Sequence, residues 1–367
     1  MNNIKRALEN GQSIWLDSIS RDMIQSGELQ SFIDLGITGV TSNPSIFDKA
    51  IADSDIYDEA LREYAAEGAN TQTIFEQLAV DDIRAAADIL RPVYDNAMGK
   101  DGHVSIEVSP TLANDTEGTI DEALRLWQTI DRPNVMIKVP GTPKGIPAIE
   151  VLVSKGINVN VTLLFSIDAY TAAAEAYISG LSRYASKGYG TTSTVGSVAS
   201  FFVSRVDTSV DAALPPNHKL RGKIGIANAK IAYLKFCELF DRKLGGNGSF
   251  FPLHSTGAQV QRPLWASTGV KNPDSPDTLY VDGLMGPDTV NTVPEVTLAA
   301  YNDHGSPSAN LLEGTDDAKN QIMQLEEAGV SLDKITDDLL RAGVAAFAQS
   351  YESLLRRIEE KLNKLDH

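Results

Sequence analysis

Residues 134–166 read NVMIKVPGTPKGIPAIEVLVSKGINVNVTLLFS. The stretch opens with a short β-rich run from Asn134, closes with another from Ile157, and carries a helical pattern between them. A strand, a helix and a strand in that order make two parallel strands joined by a crossover, because strands running the same way need a long connection. Helices cover both faces of such sheets, so their strands normally read as near-continuous apolar runs. These two do not. Asn158, Asn160 and Thr162 share one face of the second strand and Val159, Val161 and Leu163 the other, while Lys138 in the first lies opposite Val135, Ile137 and Val139.

The same unit recurs outward from this stretch. Strands are expected at IWLDS from Ile14, GVTSN from Gly39, HVSIEVS from His103, NVMIKVP from Asn134, INVNVTLLF from Ile157, SVASFFVS from Ser197, RPLWAST from Arg262 and TLYVDG from Thr278. Amphipathic stretches such as IYDEALREYAAEGA from Ile56 and GTIDEALRLWQTI from Gly118 separate them. Eight repeats favour a closed (β/α)8 TIM barrel over an open doubly wound sheet. No GxGxxG follows a strand and no GxxxxGK[ST] occurs, so the phosphate-binding glycine loops are missing. After the eighth expected strand, NTVPEVTLAAYNDHG leads into two further helical patterns ending at His367. The expected organisation is one domain over 1–367: a barrel core over 1–305 and a C-terminal helical extension over 306–367, with SPSANLLEG from Ser306 as an exposed linker.

The 367 residues carry 32 Lys+Arg against 49 Asp+Glu, a formal charge of −17, and 42% are hydrophobic. This is the composition of an acidic globular protein with ample length for a large core. Without a positive footprint it is not expected to bind nucleic acid or an anionic membrane surface. No apolar run reaches the roughly 18 residues needed to span a bilayer, and MNNIKRALENGQSIW lacks the apolar core of a signal peptide, so the cytoplasm is the expected compartment. The single cysteine, Cys237, forbids an internal disulfide and lies in a helical pattern where a structural thiol is expected.

The polar residues on the strands need a chemical reason. Glu107 lies opposite Val104, Ile106 and Val108; Asp17 ends IWLDS, Asn43 ends GVTSN and Ser200 lies within SVASFF. If the apolar face of each strand packs on the helices, all of these groups point into the barrel, toward the strand ends where barrel enzymes keep their catalytic groups. A structural, hydrogen-bonded role suits Ser200 or Asn158 taken singly but not the whole set. Keeping an amine neutral at pH 7 against an ordinary value of about 10.4 costs roughly 4–5 kcal/mol, which a fold tolerates where the amine serves as a nucleophile. A lysine, a glutamate and an aspartate converging with amides therefore make sense as a Schiff-base site: the amine attacks a ketone, one acid protonates the departing hydroxyl, and a base takes a hydroxyl proton as a C–C bond breaks. The competing use of carboxylates is metal binding. His103, His218, His254, His304 and His367 show no ligand spacing and an inward lysine would repel a cation, so no metal is expected.

At GVTSNPSIF from Gly39, PNVMIKVPGTPKGIPAIE from Pro133 and GINVNVTLLFS from Gly156, the sequence resembles the transaldolases over about the first 290 residues. Its length and the RPLWASTGVKNP segment look like the longer bacterial subgroup. The resemblance implies a (β/α)8 barrel that moves a dihydroxyacetone unit between small-molecule sugar phosphates in the pentose phosphate pathway, without a cofactor. Lys138 then matches the Schiff-base lysine and Asp17 the acid/base at the hydroxyl beside the cleaved bond. Glu107 and Thr162 match the pair that holds a catalytic water. Asn43 and Asn160 match amides that orient substrate hydroxyls, Ser200 and Phe202 match residues lining the dihydroxyacetone pocket, and Arg205 matches a phosphate-binding arginine. A second phosphate contact that is often arginine in the family falls here at Lys271, with Ser267 before it; lysine offers a point charge where arginine offers a fork. Lys144 and Lys155 are expected to be solvated helix charges. Two alternatives stay open: an aldolase that releases free dihydroxyacetone, and a sugar-phosphate-binding barrel without catalysis. The oligomeric state is not readable from the sequence.

Overall fold

The computed structural model describes residues 2–188, 190–240 and 248–365. Eight parallel strands close into a barrel in chain order: β1 (Gln12–Leu16), β2 (Gly39–Thr41), β3 (His103–Glu107), β4 (Val135–Pro140), β5 (Val159–Leu164), β6 (Ser197–Phe202), β7 (Arg262–Ala266) and β8 (Thr289–Val293), with β8 paired back onto β1. The fold is a (β/α)8 TIM barrel with extra helices. No helix among the described residues is long and apolar enough to cross a membrane.

The last strand is a correction. The expected strand TLYVDG is the short helix Leu279–Gly283, and β8 is TVNTV, eleven residues further on from Thr278 to Thr289. The apolar pair Tyr280–Val281 is buried in this helix, and the tyrosine hydroxyl donates to Asp207 Oδ2 at 2.9 Å, a contact remote in sequence. TVNTV hides its strand because Thr289, Asn291 and Thr292 are polar yet buried, Thr292 on the inner face beside Thr41 and Asn291 on the outer face in register with Trp265. Asn158 is a second surprise of position. It precedes β5, and its amide donates to the Pro133 and Val135 carbonyls while accepting from Gly196 N–H, so it ties β4 to β6. Strict alternation also breaks late in β5, where the register shifts between Val161 and Leu164 and Leu163 takes a left-handed φ of 59°.

Both ends of the barrel are closed. At the N-terminal end, Trp15 fills the interior, and β2 can pass it only because residue 39 is glycine: a Cβ there would lie 2.5 Å from the indole. Below it, Asp101 accepts from Ser13 Oγ (2.5 Å), Trp15 Nε1 (2.9 Å), Arg262 Nη2 (3.0 Å) and Thr38 Oγ1 (3.1 Å). Burial alone would raise this carboxyl, but Arg262 and the donors outweigh it and hold Asp101 below the usual range. At the other end, the 34-residue C-terminal helix Leu332–Leu365 crosses the mouth. It is anchored by Leu354 and Ile358, both fully buried, and by the ion pair from Arg357 to Asp48 at 3.1 Å. Gly343 lets it descend: a Cβ there would meet Leu163 Cδ2 at 2.9 Å and Arg205 Nη1 at 3.8 Å.

Candidate active site

Between barrel and C-terminal helix lies a cavity of about 260 Å³. Its lining brings together Asp17, Asn43, Lys138, Thr162, Ser200, Phe202, Arg205, Ser267 and Lys271, residues spread over 255 positions from 17 to 271. The strands supply this convergence. Lys138 is in register with Glu107 on one side and Asn160 on the other, and Thr162 pairs with Pro140 one step up. Asp17 follows β1 directly, its N–H continuing the ladder to Val293 O at 2.9 Å. Asn43 caps the helix Pro44–Ala52: Oδ1 accepts from Ile46 N–H at 3.1 Å, a role for which asparagine before proline is well suited, and its NH₂ is left over for other partners. Lys144 and Lys155 are exposed and outside the cavity.

Lys138 is 5% exposed. Its Nζ donates to Ser42 O at 2.8 Å, lies 3.4 Å from Glu107 Oε2, and sits 5.9 Å from the ring centroid of Phe347 on the C-terminal helix. Asp17 keeps some surface where it faces the cavity but is otherwise enclosed. That desolvation raises its carboxyl, against the opposing pull of a hydrogen bond from Thr41 Oγ1 (2.7 Å) and the charges of Lys138 and Arg205. Thr41 Oγ1 also lies 2.7 Å from Thr292 Oγ1, so two hydroxyls hold Asp17 in place. Glu107 is pushed up by burial too; Lys138 pulls it down and Asp17 adds to the rise. Both Glu107 oxygens and Thr162 Oγ1 are buried with no hydrogen-bond partner among the described residues. Buried polar atoms are rarely left so unless something else binds there.

Two expected residues do not line this cavity. Glu107 reaches it through its contact with Lys138, and Asn160 through Ser200, whose hydroxyl donates to Asn160 Oδ1 at 2.7 Å while Asn160 Nδ2 donates to Ser105 Oγ at 3.0 Å. At the outer end, Arg205 makes no ion pair among the described residues; it lies over the Phe202 ring, 5.2 Å from the centroid. Burial lowers its proton affinity and Asp17 raises it. Beside it, Ser267 holds a left-handed φ of 54° in the turn after β7, a conformation non-glycine residues seldom adopt, and its hydroxyl meets Ser204 Oγ at 2.9 Å. Lys271 is exposed at the rim. Thr41, Thr292 and Phe347 line the cavity as well, and sequence reasoning missed them. Thr292 lay in the overlooked strand, and nothing in the spacing of Phe347 distinguishes it from other apolar positions of a helix.

An amine between two carboxyls of raised proton affinity, with an unpaired guanidinium at the far end of the cavity, suits amine chemistry on an anionic carbonyl compound. Comparisons agree. The family described as Transaldolase/Fructose-6-phosphate aldolase matches residues 14–358. A Transaldolase of Thiobacillus denitrificans is 47% identical over 364 residues, covering 98% of this chain and 100% of the relative. One of Saccharopolyspora erythraea is 45% identical over 367 residues, covering 99% and 98%. Transaldolase 2 of Nostoc is 44% identical over 382 aligned positions, covering 100% and 99%. With matches that run nearly end to end and a barrel whose mouth gathers a lysine, two carboxyls and an arginine, the chain belongs to the transaldolase/fructose-6-phosphate aldolase family and is an enzyme of the transaldolase type.

Proposed function

We propose that the chain transfers a dihydroxyacetone unit from sedoheptulose 7-phosphate or fructose 6-phosphate to an aldose phosphate, with Lys138 as the Schiff-base amine. The observation that carries this reading is the position of Lys138 Nζ, 3.4 Å from Glu107 in a cavity it shares with Asp17 and Arg205. Lys138 adds to the C2 carbonyl of the ketose to give a carbinolamine. Glu107, through a water shared with Thr162, protonates the departing hydroxyl; water leaves and an iminium forms. Asp17 takes the proton from the C4 hydroxyl as the C3–C4 bond breaks, and the electron pair flows into the iminium. The aldose departs and a three-carbon enamine stays on Lys138 until an acceptor aldehyde reverses the steps. Asn43 and Ser200 orient hydroxyls, Asn160 holds Ser200, Phe202 borders the three-carbon pocket, and Arg205, with Ser267 and Lys271, grips the phosphate.

Borohydride reduction in the presence of fructose 6-phosphate, followed by peptide mass mapping, tests the nucleophile. One stable adduct is expected, on the peptide containing Lys138, and it is lost in Lys138→Ala. An adduct on Lys144 or Lys271 would move the nucleophile, and none at all would sink the Schiff-base reading. Comparing release of free dihydroxyacetone with and without erythrose 4-phosphate separates transfer from simple aldol cleavage.

A further inference from the structure

Asp17 follows β1, and the strands on either side of β1 each supply a hydroxyl beside it. Thr41 closes β2, and Thr292 lies in β8 in register with Trp15 of β1. Both are buried, and both line the cavity of Lys138. Their oxygens lie 2.7 Å apart, and Thr41 Oγ1 donates onward to Asp17 Oδ1, also at 2.7 Å. Thr292 is held in turn from the β7 side: Thr268 Oγ1, in the turn after β7, lies 2.9 Å from Asn291 Oδ1 and 3.1 Å from Thr292 O. A hydroxyl carries one proton, and an ionised carboxylate can only accept. With the Thr41 proton given to Asp17, the contact between the two threonines must use the proton of Thr292. The direction of the chain is thereby fixed, and Asp17 Oδ2 is left without a donor among the described residues.

We propose that Thr41 and Thr292 are positioning residues: a directed hydroxyl chain, Thr292 to Thr41 to Asp17 Oδ1, that makes Oδ2 the oxygen exchanging a proton with the substrate and keeps Asp17 ready to accept it. The inference rests on the reading above that Lys138 forms the imine and Asp17 is the base of C–C cleavage. With Oδ1 occupied, the C4 hydroxyl gives its proton to Oδ2. The C3–C4 bond breaks, C4 becomes the aldehyde carbon, and the electron pair enters the iminium to give the enamine. In the return direction Oδ2 hands the same proton to the new hydroxyl. A hydrogen bond to a carboxylate is stronger than one to the neutral acid, so the chain favours the ionised, proton-accepting form. That help is needed because burial raises the Asp17 carboxyl. Against burial stand first the Thr41 bond, then Lys138 from β4 and Arg205 from the helix after β6. Glu107 from β3 is the other titratable group that interacts with Asp17, and it feels the Asp17 charge as a further rise of its own. The second hydroxyl acts through the first: Thr292 polarises Thr41 and strengthens its bond to Oδ1.

The test measures kcat against pH for transfer from fructose 6-phosphate to erythrose 4-phosphate, beside the pH profile of borohydride trapping, using the full-length protein. Thr41→Val removes the first hydroxyl at nearly constant volume, Thr292→Val removes the second, and Thr41→Ser keeps a donor in place. An Asp17 that binds its proton more tightly loses activity sooner as the pH falls. In Thr41→Val the acidic limb of kcat should therefore move up by about one pH unit, a loss of about tenfold in rate below it. Thr292→Val should move the limb the same way by roughly 0.2–0.3 unit, and it should add nothing to Thr41→Val, where the chain is already broken. Thr41→Ser should restore the parent limb, and trapping should follow the parent profile in every variant. An unmoved limb in either folded valine variant overturns the proposal, as does Thr41→Ser without recovery or a further shift in the double variant. Should Thr41→Val not fold, Thr292→Val and Thr41→Ser decide by the same criteria. If the parent protein gives no adduct on Lys138, the Schiff-base reading falls and the chain's role with it; a parent adduct with limbs that do not move removes the chain's role alone.

Discussion

Lowering the pH from 7 to 5 should weaken this fold by about 2 kcal/mol through one side chain, His103. The imidazole begins β3 and is 1% exposed, with Nε2 2.9 Å from Gly99 O, so the neutral ring donates there. Tyr94 stands edge-on at 5.3 Å and Trp15 lies 6.1 Å away. Burial dominates and lowers the ring to about 4, outweighing the Gly99 carbonyl and Asp101, which favour the proton. In the unfolded chain the ring returns to about 6.5. Between those values the unfolded state binds the extra proton, so stability is full above about pH 6.5 and is lost as the pH falls toward 4. The gap caps the loss at about 3.4 kcal/mol, of which about 2 has gone by pH 5. His103→Gln is the perturbation, because its amide can keep the donor to Gly99 O and does not titrate. Urea unfolding of both proteins at pH 7, 6 and 5 cancels the carboxylates they share, and the parent should lose about 2 kcal/mol more than the variant across that range. A stability difference that stays constant over the three pH values would refute the argument.

Asp17→Ala should still trap the imine with borohydride yet turn over roughly 10²–10⁴-fold more slowly; loss of trapping would assign Asp17 to imine formation instead. Arg205→Ala should cost roughly 2–4 kcal/mol of binding to phosphorylated sugars and little for unphosphorylated fructose, with Lys271→Ala costing about 1–2 kcal/mol in the same assay. Equal losses for both sugars would mean a folding defect, and no loss in Lys271→Ala would leave the phosphate to Arg205 and Ser267. Arg262→Met strands Asp101 as a buried, unpaired charge and should lower unfolding stability by about 3–5 kcal/mol at pH 7, partly recovered in Arg262→Met combined with Asp101→Asn. A loss under about 1 kcal/mol in the single variant would show that the plug at the base of the barrel is not coupled to folding.

The chain's own order of residues was enough to reveal the repeating strand–helix unit and the closed barrel, because seven of the eight strands read as short β-rich runs between helical patterns. It was also enough to mark Lys138, Glu107, Asp17 and Asn43 as anomalies, since a charge or amide on a buried strand carries a desolvation cost that is visible without coordinates. The eighth strand escaped for the converse reason: TVNTV buries polar residues on both of its faces and TLYVDG satisfies either period, so local pattern could not choose between them. Contacts between distant segments were beyond reach in kind. That Thr41 and Thr292, 251 residues apart, share one hydroxyl contact beside Asp17 depends on the β8–β1 seam. That Phe347 roofs Lys138 depends on a helix resting at Gly343. Periodicity reports which side of a strand a residue occupies; which space that side opens onto is set by side chains arriving from elsewhere in the chain.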